Sequence, residues 1–150
     1  MGIITEDMRD IFARARLSFA ATVNADGSPN LSPKATLMVY DDDHSVFANI
    51  ASPKTMANLG RNPAIECNVV DPFARRGYRF KGKAEIFAEG PEYDFVTRIL
   101  LVREGGQYPI HEVVKIRVET AAPVLSPAYL FNENPDEAAI IATWRKRYGA

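Results

Sequence analysis

Pro33 stands inside a run, Pro29 to Tyr40, that otherwise reads as one strand, and no other residue narrows the fold as far. A proline has no N–H to give to a ladder, so Ser32-Pro33-Lys34 interrupts that strand and marks a sheet edge or a bulge. Just upstream, Leu17 to Val23 reads as a strand that ends in Asn24-Ala25-Asp26-Gly27-Ser28. The Asp-Gly pair supplies positive φ in a tight turn, so the two strands form a hairpin whose second arm is broken.

More strands follow in hairpin order. Asp41-Asp42-Asp43-His44 is a turn leading into a strand over Ser45–Ile50, and Ala64–Val70, Tyr78–Ala88 and His111–Val118 read as three more. Short helices punctuate them. Thr5-Glu6-Asp7 is a helix start, with a capping hydroxyl and an acidic first turn, and Met8, Ile11, Phe12 and Ala15 then share one face. A second helix, about Lys54 to Leu59, is expected to end on Gly60 with Pro63 beyond it. Glu89-Gly90-Pro91-Glu92 opens a third, with Tyr93, Phe95, Val96, Ile99 and Leu100 on its apolar side, and Asp136–Arg147 forms a terminal one. Six strands with short helices between them predict a mainly β (α+β) chain with a closed antiparallel sheet, not a βαβ array. Two prolines within Ala121–Pro127 predict an extended arm leaving the barrel, so the chain divides into a barrel domain over 1–120 and a C-terminal extension with a helix over 121–150.

The chemistry concentrates in Ala48-Asn49-Ile50-Ala51-Ser52-Pro53-Lys54-Thr55-Met56-Ala57-Asn58-Leu59. An apolar strand breaks at Ser52-Pro53 and helical spacing restarts at Met56 and Leu59. The junction gathers the Ser52 and Thr55 hydroxyls, the Lys54 ammonium and unpaired N–H groups at a helix N-terminus, where a dianion is well held. That is the donor set of a phosphate cradle. The same residues also serve an ordinary capped strand-to-helix turn, and both readings stand at this point.

Other chemistries find little support. The formal net charge is −1, so no overall field recruits nucleic acid, and Arg145-Lys146-Arg147 reads as a solvated face or a complement to the helix dipole. The single cysteine, Cys67, lies in an apolar run and reads as a buried structural thiol. His44 and His111 are too far apart in sequence for metal-ligand spacing, so no metal is expected. The start of the chain, Met1-Gly2-Ile3-Ile4-Thr5-Glu6-Asp7, is acidic and lacks the apolar core of a signal peptide, and no apolar run approaches the ~18 residues of a membrane span. A cytoplasmic protein without membrane or nucleic-acid partners is expected. No Ser-His-Asp, Cys-His or paired-carboxylate arrangement appears, which leaves catalytic residues unknown.

In their order, several short pieces resemble the FMN-binding split β-barrel family that includes pyridoxamine 5′-phosphate oxidase. They are Asp26-Gly27, Ser32-Pro33-Lys34, Ser52-Pro53-Lys54-Thr55-Met56-Ala57-Asn58, Arg61-Asn62-Pro63, Tyr78-Arg79-Phe80-Lys81-Gly82-Lys83-Ala84 and Gly90-Pro91-Glu92-Tyr93. The resemblance spans about Leu17 to Val118. It implies a six-stranded antiparallel split β-barrel that forms a homodimer with two FMN sites at the interface.

By the same resemblance, Ser52, Lys54 and Thr55 hold the 5′-phosphate with Asn58 near it. Ser32, Pro33, Lys34 and Ala35 run along the isoalloxazine edge, where Lys34 stabilises negative charge that develops on reduction. Asn49 and Ile50 line the other side of the ring, and Arg79 reaches the phosphate or ring from a neighbouring strand. The implied activity is an FMN-dependent oxidoreductase toward an unidentified small molecule or electron donor. The end of the chain, Thr143-Trp144-Arg145-Lys146-Arg147-Tyr148, does not reproduce the basic substrate-phosphate motif of the vitamin B6 oxidases. Alternatives are a non-catalytic flavin-binding or electron-carrier protein, a deazaflavin- or haem-binding relative, and a ligand-free dimeric interaction module. Trp144 and Tyr148 are expected to anchor the terminal helix.

Overall fold

One stretch of chain makes both edges of the sheet. The computed structural model describes residues 2–150, so Met1, the first residue of the N-terminal stretch, lies outside them. Its strands are β1 (Ser18–Val23), β2 (Pro29–Lys34), β3 (Met38–Val39), β4 (His44–Asn49), β5 (Ala64–Asp71), β6 (Arg76–Phe87) and β7 (Glu112–Leu125). They form one antiparallel sheet in the order β2-β1-β5-β6-β7-β4-β3. The sheet curls into a half-barrel, the split-barrel fold that the sequence predicts.

Where the sequence predicts six strands, the described residues form seven, because the run from Pro29 to Tyr40 is two strands. β2 pairs with β1 at one rim and β3 pairs with β4 at the other. Ala35-Thr36-Leu37 crosses between them, and no ladder among the described residues joins β2 to β3. The Thr36 hydroxyl accepts the Ala48 N–H at 3.0 Å and hangs the crossover on β4. Pro33 thus lies on an edge strand, where a missing N–H can face away from the ladder.

β6 shifts register between Lys81 and Gly82. A Cβ on Gly82 would come within 2.0 Å of the Arg117 carbonyl oxygen, so the two long strands close up here only because the residue is glycine. β7 runs past its expected end at Val118: residues 121–125 stay paired with Arg76–Phe80 instead of leaving as a free arm. β4 pairs β7 only over Glu112–Arg117, so Pro123 occupies an open edge and costs no ladder bond.

Helix α1 (Glu6–Ala15) is capped by Thr5, whose hydroxyl accepts the Met8 N–H, and it buries Ile11, Phe12 and Ala15. Burial of Ile11 and Phe12 is worth about 1.5–3 kcal/mol each relative to exposure. Helix α2 (Pro53–Arg61) carries Gly60 inside its last turn and is capped by Asn62, one correction to the expected end. Pro63 follows. Helix α3 (Pro91–Glu104) covers the other sheet face, where Val96 and Leu100 pack with Val46, Ala48 and Val113. The larger core lies inside the curl and includes Ile11, Phe12, Phe47, Ile65, Cys67, Val69, Phe80, Val114 and Ile116. Cys67 is 1% exposed there, and burial pushes its thiol pKa up to about 12, as suits a structural cysteine.

Helices α4 (Pro127–Leu130) and α5 (Glu137–Tyr148) end the chain and bury no residue. α5 is held by polar and cation–π contacts. The Arg76 guanidinium bonds Glu137 on α5 at 2.7 Å and Asp7 on α1 at 2.9 Å. The Arg75 guanidinium lies 3.9 Å from the Trp144 ring centre, and Tyr148 packs edge-on against Phe73. These contacts agree with the expected anchoring role of Trp144 and Tyr148.

Candidate functional site

The strand period decides where β2 sends its side chains. Ser32 lies opposite Ala20, which lies opposite Cys67 and then Phe80, a row of the buried face. Lys34 is two residues on and points the same way, into the barrel, with 4% of its surface exposed. Its ammonium donates to Ser32 Oγ at 2.5 Å, to Ser52 Oγ at 2.8 Å and to the Pro33 carbonyl at 3.2 Å. The ammonium also lies 5.5 Å from the Phe47 ring centre. No carboxylate among the described residues forms an ion pair with it. Burial penalises the charged form and holds the Lys34 pKa below the ordinary lysine value. A buried cation with hydroxyl partners and no anion is a site short of a negative charge.

Ser52 precedes α2, but its hydroxyl makes no cap bond to the helix and is turned to Lys34. Asn49 fixes that geometry: its Oδ1 accepts the Ser52 N–H at 3.1 Å, and its Nδ2 donates to Glu112 Oε2 at 2.6 Å. An amide in an apolar strand needs polar partners, and these are they. Pro53 at the first helical position has no N–H, while the amides of Lys54 and Thr55 receive no side-chain cap.

The three side-chain donors gathered in sequence at 52–55 divide in space. Lys54 is exposed and lines a recess of about 470 Å³ with Asn24, Asp26, Ser28, Asn58 and Arg61. Thr55 is buried, and its hydroxyl accepts from Asn30 Nδ2 at 3.4 Å. Asn58 is buried as well and fully employed. Its Nδ2 donates to Thr22 Oγ1 at 3.0 Å and Asn24 Oδ1 at 2.9 Å, and its Oδ1 accepts from Arg61 Nη2 at 2.7 Å. Asn58 pins α2 to the β1–β2 hairpin. Arg61 is a cation of this recess that the sequence reading left out. The signal was its position seven residues after Lys54, two helical turns along the same face. Asp26 brings one opposing charge, held low in pKa by hydrogen bonds from Ser28.

Ala35 and Ile50 meet across an apolar cavity of about 380 Å³ that Thr36, Tyr93, Tyr108 and Ile110 help to line. Arg79 lies elsewhere. It is exposed on the outer sheet face, opposite Asn68, in a row with Phe19 and Pro33, and 3.7 Å from Glu66. Within one chain, Ser32, Lys34, Asn49 and Ser52 form one cluster, Lys54 and Asn58 border a second, and Arg79 joins neither. No group of three or more potential metal ligands occurs among the described residues.

Residues 4–129 match the sequence profile described as pyridoxamine 5′-phosphate oxidase. No curated protein matches the chain. The crystal structure of HupZ from Group A Streptococcus is similar, with a TM-score of 0.74 and 32% identity over 82% of this chain and 95% of that one. An FMN-binding protein from Syntrophomonas wolfei superposes with a TM-score of 0.66 at 20% identity, covering 80% of this chain and 90% of that one. An F420 reductase does so with a TM-score of 0.62 at 21% identity, covering 79% and 98%. At those two lower identities the likeness is one of fold. The match over most of its length, carried on this half-barrel, places the chain in the pyridoxamine 5′-phosphate oxidase family.

Proposed function

We propose that this protein is a cytoplasmic homodimer that binds FMN and passes two electrons between it and a small molecule. One observation carries the reading: the buried Lys34 ammonium, bonded to Ser32 and Ser52 and with no anionic partner among the described residues. The FMN-binding neighbour of the same fold agrees with it.

In this reading the Ser52 hydroxyl, Lys54 and the uncapped amides of the first turn of α2 take the 5′-phosphate. Thr55 and Asn58 set the helix against the hairpin so that those groups keep their place. Ser32, Pro33, Lys34 and Ala35 follow the ring edge, and Lys34 offers positive charge where the ring carbonyls lie. Ile50 gives the ring an apolar wall, and Asn49 holds Ser52 in position. When bound, FMN supplies hydride chemistry, and the protein supplies placement and charge. The cofactor-binding domain expected over 1–120 takes in β7 as far as Leu125, and α4 and α5 extend it.

Arg79 serves such a site only across a dimer. It shares the outer face with Phe19 and Leu31, which are 40% and 66% exposed, and with Pro33. An apolar face of this kind on an edge hairpin suits a second copy of the chain.

The absorbance spectrum of the purified protein tests the cofactor. Two flavin bands, with FMN released on denaturation, are expected. A colourless protein that neither binds nor quenches added FMN would end this reading. If a deazaflavin binds instead, the site stands and its cofactor changes. Stopped-flow reduction by nicotinamide donors separates an oxidoreductase from an electron carrier, which would turn over no donor.

A further inference from the structure

A second recess, of about 460 Å³, lies between α1 and the segment that crosses from β2 to β3. Arg9, Arg16 and Arg103 line it together with Phe12, Leu37 and Met38, and no carboxylate among the described residues does. Arg9 is engaged by Asp42 at 2.5 Å. Arg103 reaches Glu104 only at 3.9 Å, and Arg16 forms no ion pair among the described residues. Two of the three cations are therefore available to a ligand.

The backbone of Arg16 is unusual. It has φ 62° and ψ −33°, and the Leu17 N–H donates to the Ala15 carbonyl at 2.6 Å across it. This is a γ-turn of the rare positive-φ kind, which side chains adopt under strain and glycine adopts freely. Arg16, held in such a turn, lines the recess, and strain of this kind clusters at functional sites.

We propose that this recess binds a small amphipathic anion: an apolar body on Phe12, Leu37 and Met38, and an oxyanion head on Arg16 and Arg103. The guanidinium fork suits carboxylate, sulfonate or phosphate oxygens. Ala35 lines both this recess and the apolar cavity shared with Ile50 and Tyr93. A molecule seated here therefore extends toward the proposed ring edge, which makes an apolar acid the substrate class. That last step rests on the flavin reading; the anion site itself does not.

The test uses the whole chain freed of flavin and titrated with 8-anilinonaphthalene-1-sulfonate by fluorescence. Its neutral analogue N-phenyl-1-naphthylamine serves as the control for charge. Arg16→Gly removes the cation and relieves the turn, so it should fold at least as well as the parent by thermal melt. In Arg16→Gly and Arg103→Gln, sulfonate affinity is expected to fall about tenfold each, while affinity for the neutral probe holds. Unchanged sulfonate affinity in both variants, or an equal loss for the neutral probe, would overturn the proposal. FMN affinity, measured on the same variants, should not move. A parent that takes the sulfonate but not FMN would sink the flavin reading and leave the anion site standing.

Discussion

The Lys34 ammonium and the Ser52 hydroxyl lie 2.8 Å apart, although one ends β2 and the other precedes α2. Their bond ties the sheet rim to the strand-to-helix junction, and the cation it buries has no counter-ion among the described residues. Lys34→Met keeps the volume and removes the charge. Stability is expected to rise by about 1 kcal/mol, because a buried unpaired ion is replaced by an apolar group. FMN affinity should fall about tenfold or more, the scale of a hydrogen bond to a charged group. Urea unfolding and FMN fluorescence titration measure the two effects. A less stable variant with unchanged FMN affinity would make Lys34 a purely structural cation.

The same residue sets a pH dependence. Burial holds the Lys34 pKa below its reference value of 10.5 in the folded chain. Between that lowered value and 10.5 the unfolded chain binds the extra proton, so this group makes stability rise with pH. The stability advantage of Lys34→Met over the parent should therefore shrink as pH approaches 10.5. Chemical unfolding of both proteins along an alkaline series reads the difference, and a gap that stays constant would contradict it.

Lys54 is exposed, and its ammonium forms no hydrogen bond or ion pair among the described residues. Lys54→Ala is expected to change stability by less than about 0.5 kcal/mol. It should weaken FMN binding by about 1.5–3 kcal/mol if the ammonium meets the phosphate. Calorimetric titration decides, and an unaltered affinity would remove Lys54 from the cradle.

Asn58 has the opposite profile, being 2% exposed and bonded to Thr22, Asn24 and Arg61. Asn58→Ala leaves those partners unpaired and opens the contact between α2 and the hairpin. A loss of about 2–3 kcal/mol in urea unfolding is expected. A loss below about 0.5 kcal/mol would show that water replaces the amide at little cost.

Leu31 tests the assembly. Sedimentation of the parent should report a dimer, and Leu31→Glu should shift it toward monomer, because a carboxylate would be buried against an apolar partner. FMN affinity should fall with it, since the proposed site draws on Arg79 from a second copy. A Leu31→Glu protein that remains dimeric would move the interface to another face.

Local signals made much of this architecture readable. Asp26-Gly27 gave the hairpin and the Thr5 cap gave α1, because a turn and a helix start depend on a few adjacent residues. Pro33 showed that the strand breaks, but not where the chain resumes. The pairing of Met38 with Val46 at the far rim is a long-range contact that adjacent residues do not encode. Pro123 misled for a related reason: a proline looks like a linker until its free side is seen to face no neighbouring strand. The site was half legible. Ser52, Lys54 and Thr55 are close in sequence, yet successive helical positions diverge, so one hydroxyl turns to Lys34, the ammonium to Arg61's recess and the other hydroxyl into the core. Lys34 itself could not be placed indoors from sequence, because lysine on a strand usually faces water.

The crossover at 35–37 has one more implication. The two rims are joined there by three residues of chain and by no ladder among the described residues. The Thr36 hydroxyl, bonded to the Ala48 amide, fastens that crossover to β4. Ala35 lines a cavity on each side of the crossover, so a larger side chain at this one position would narrow both.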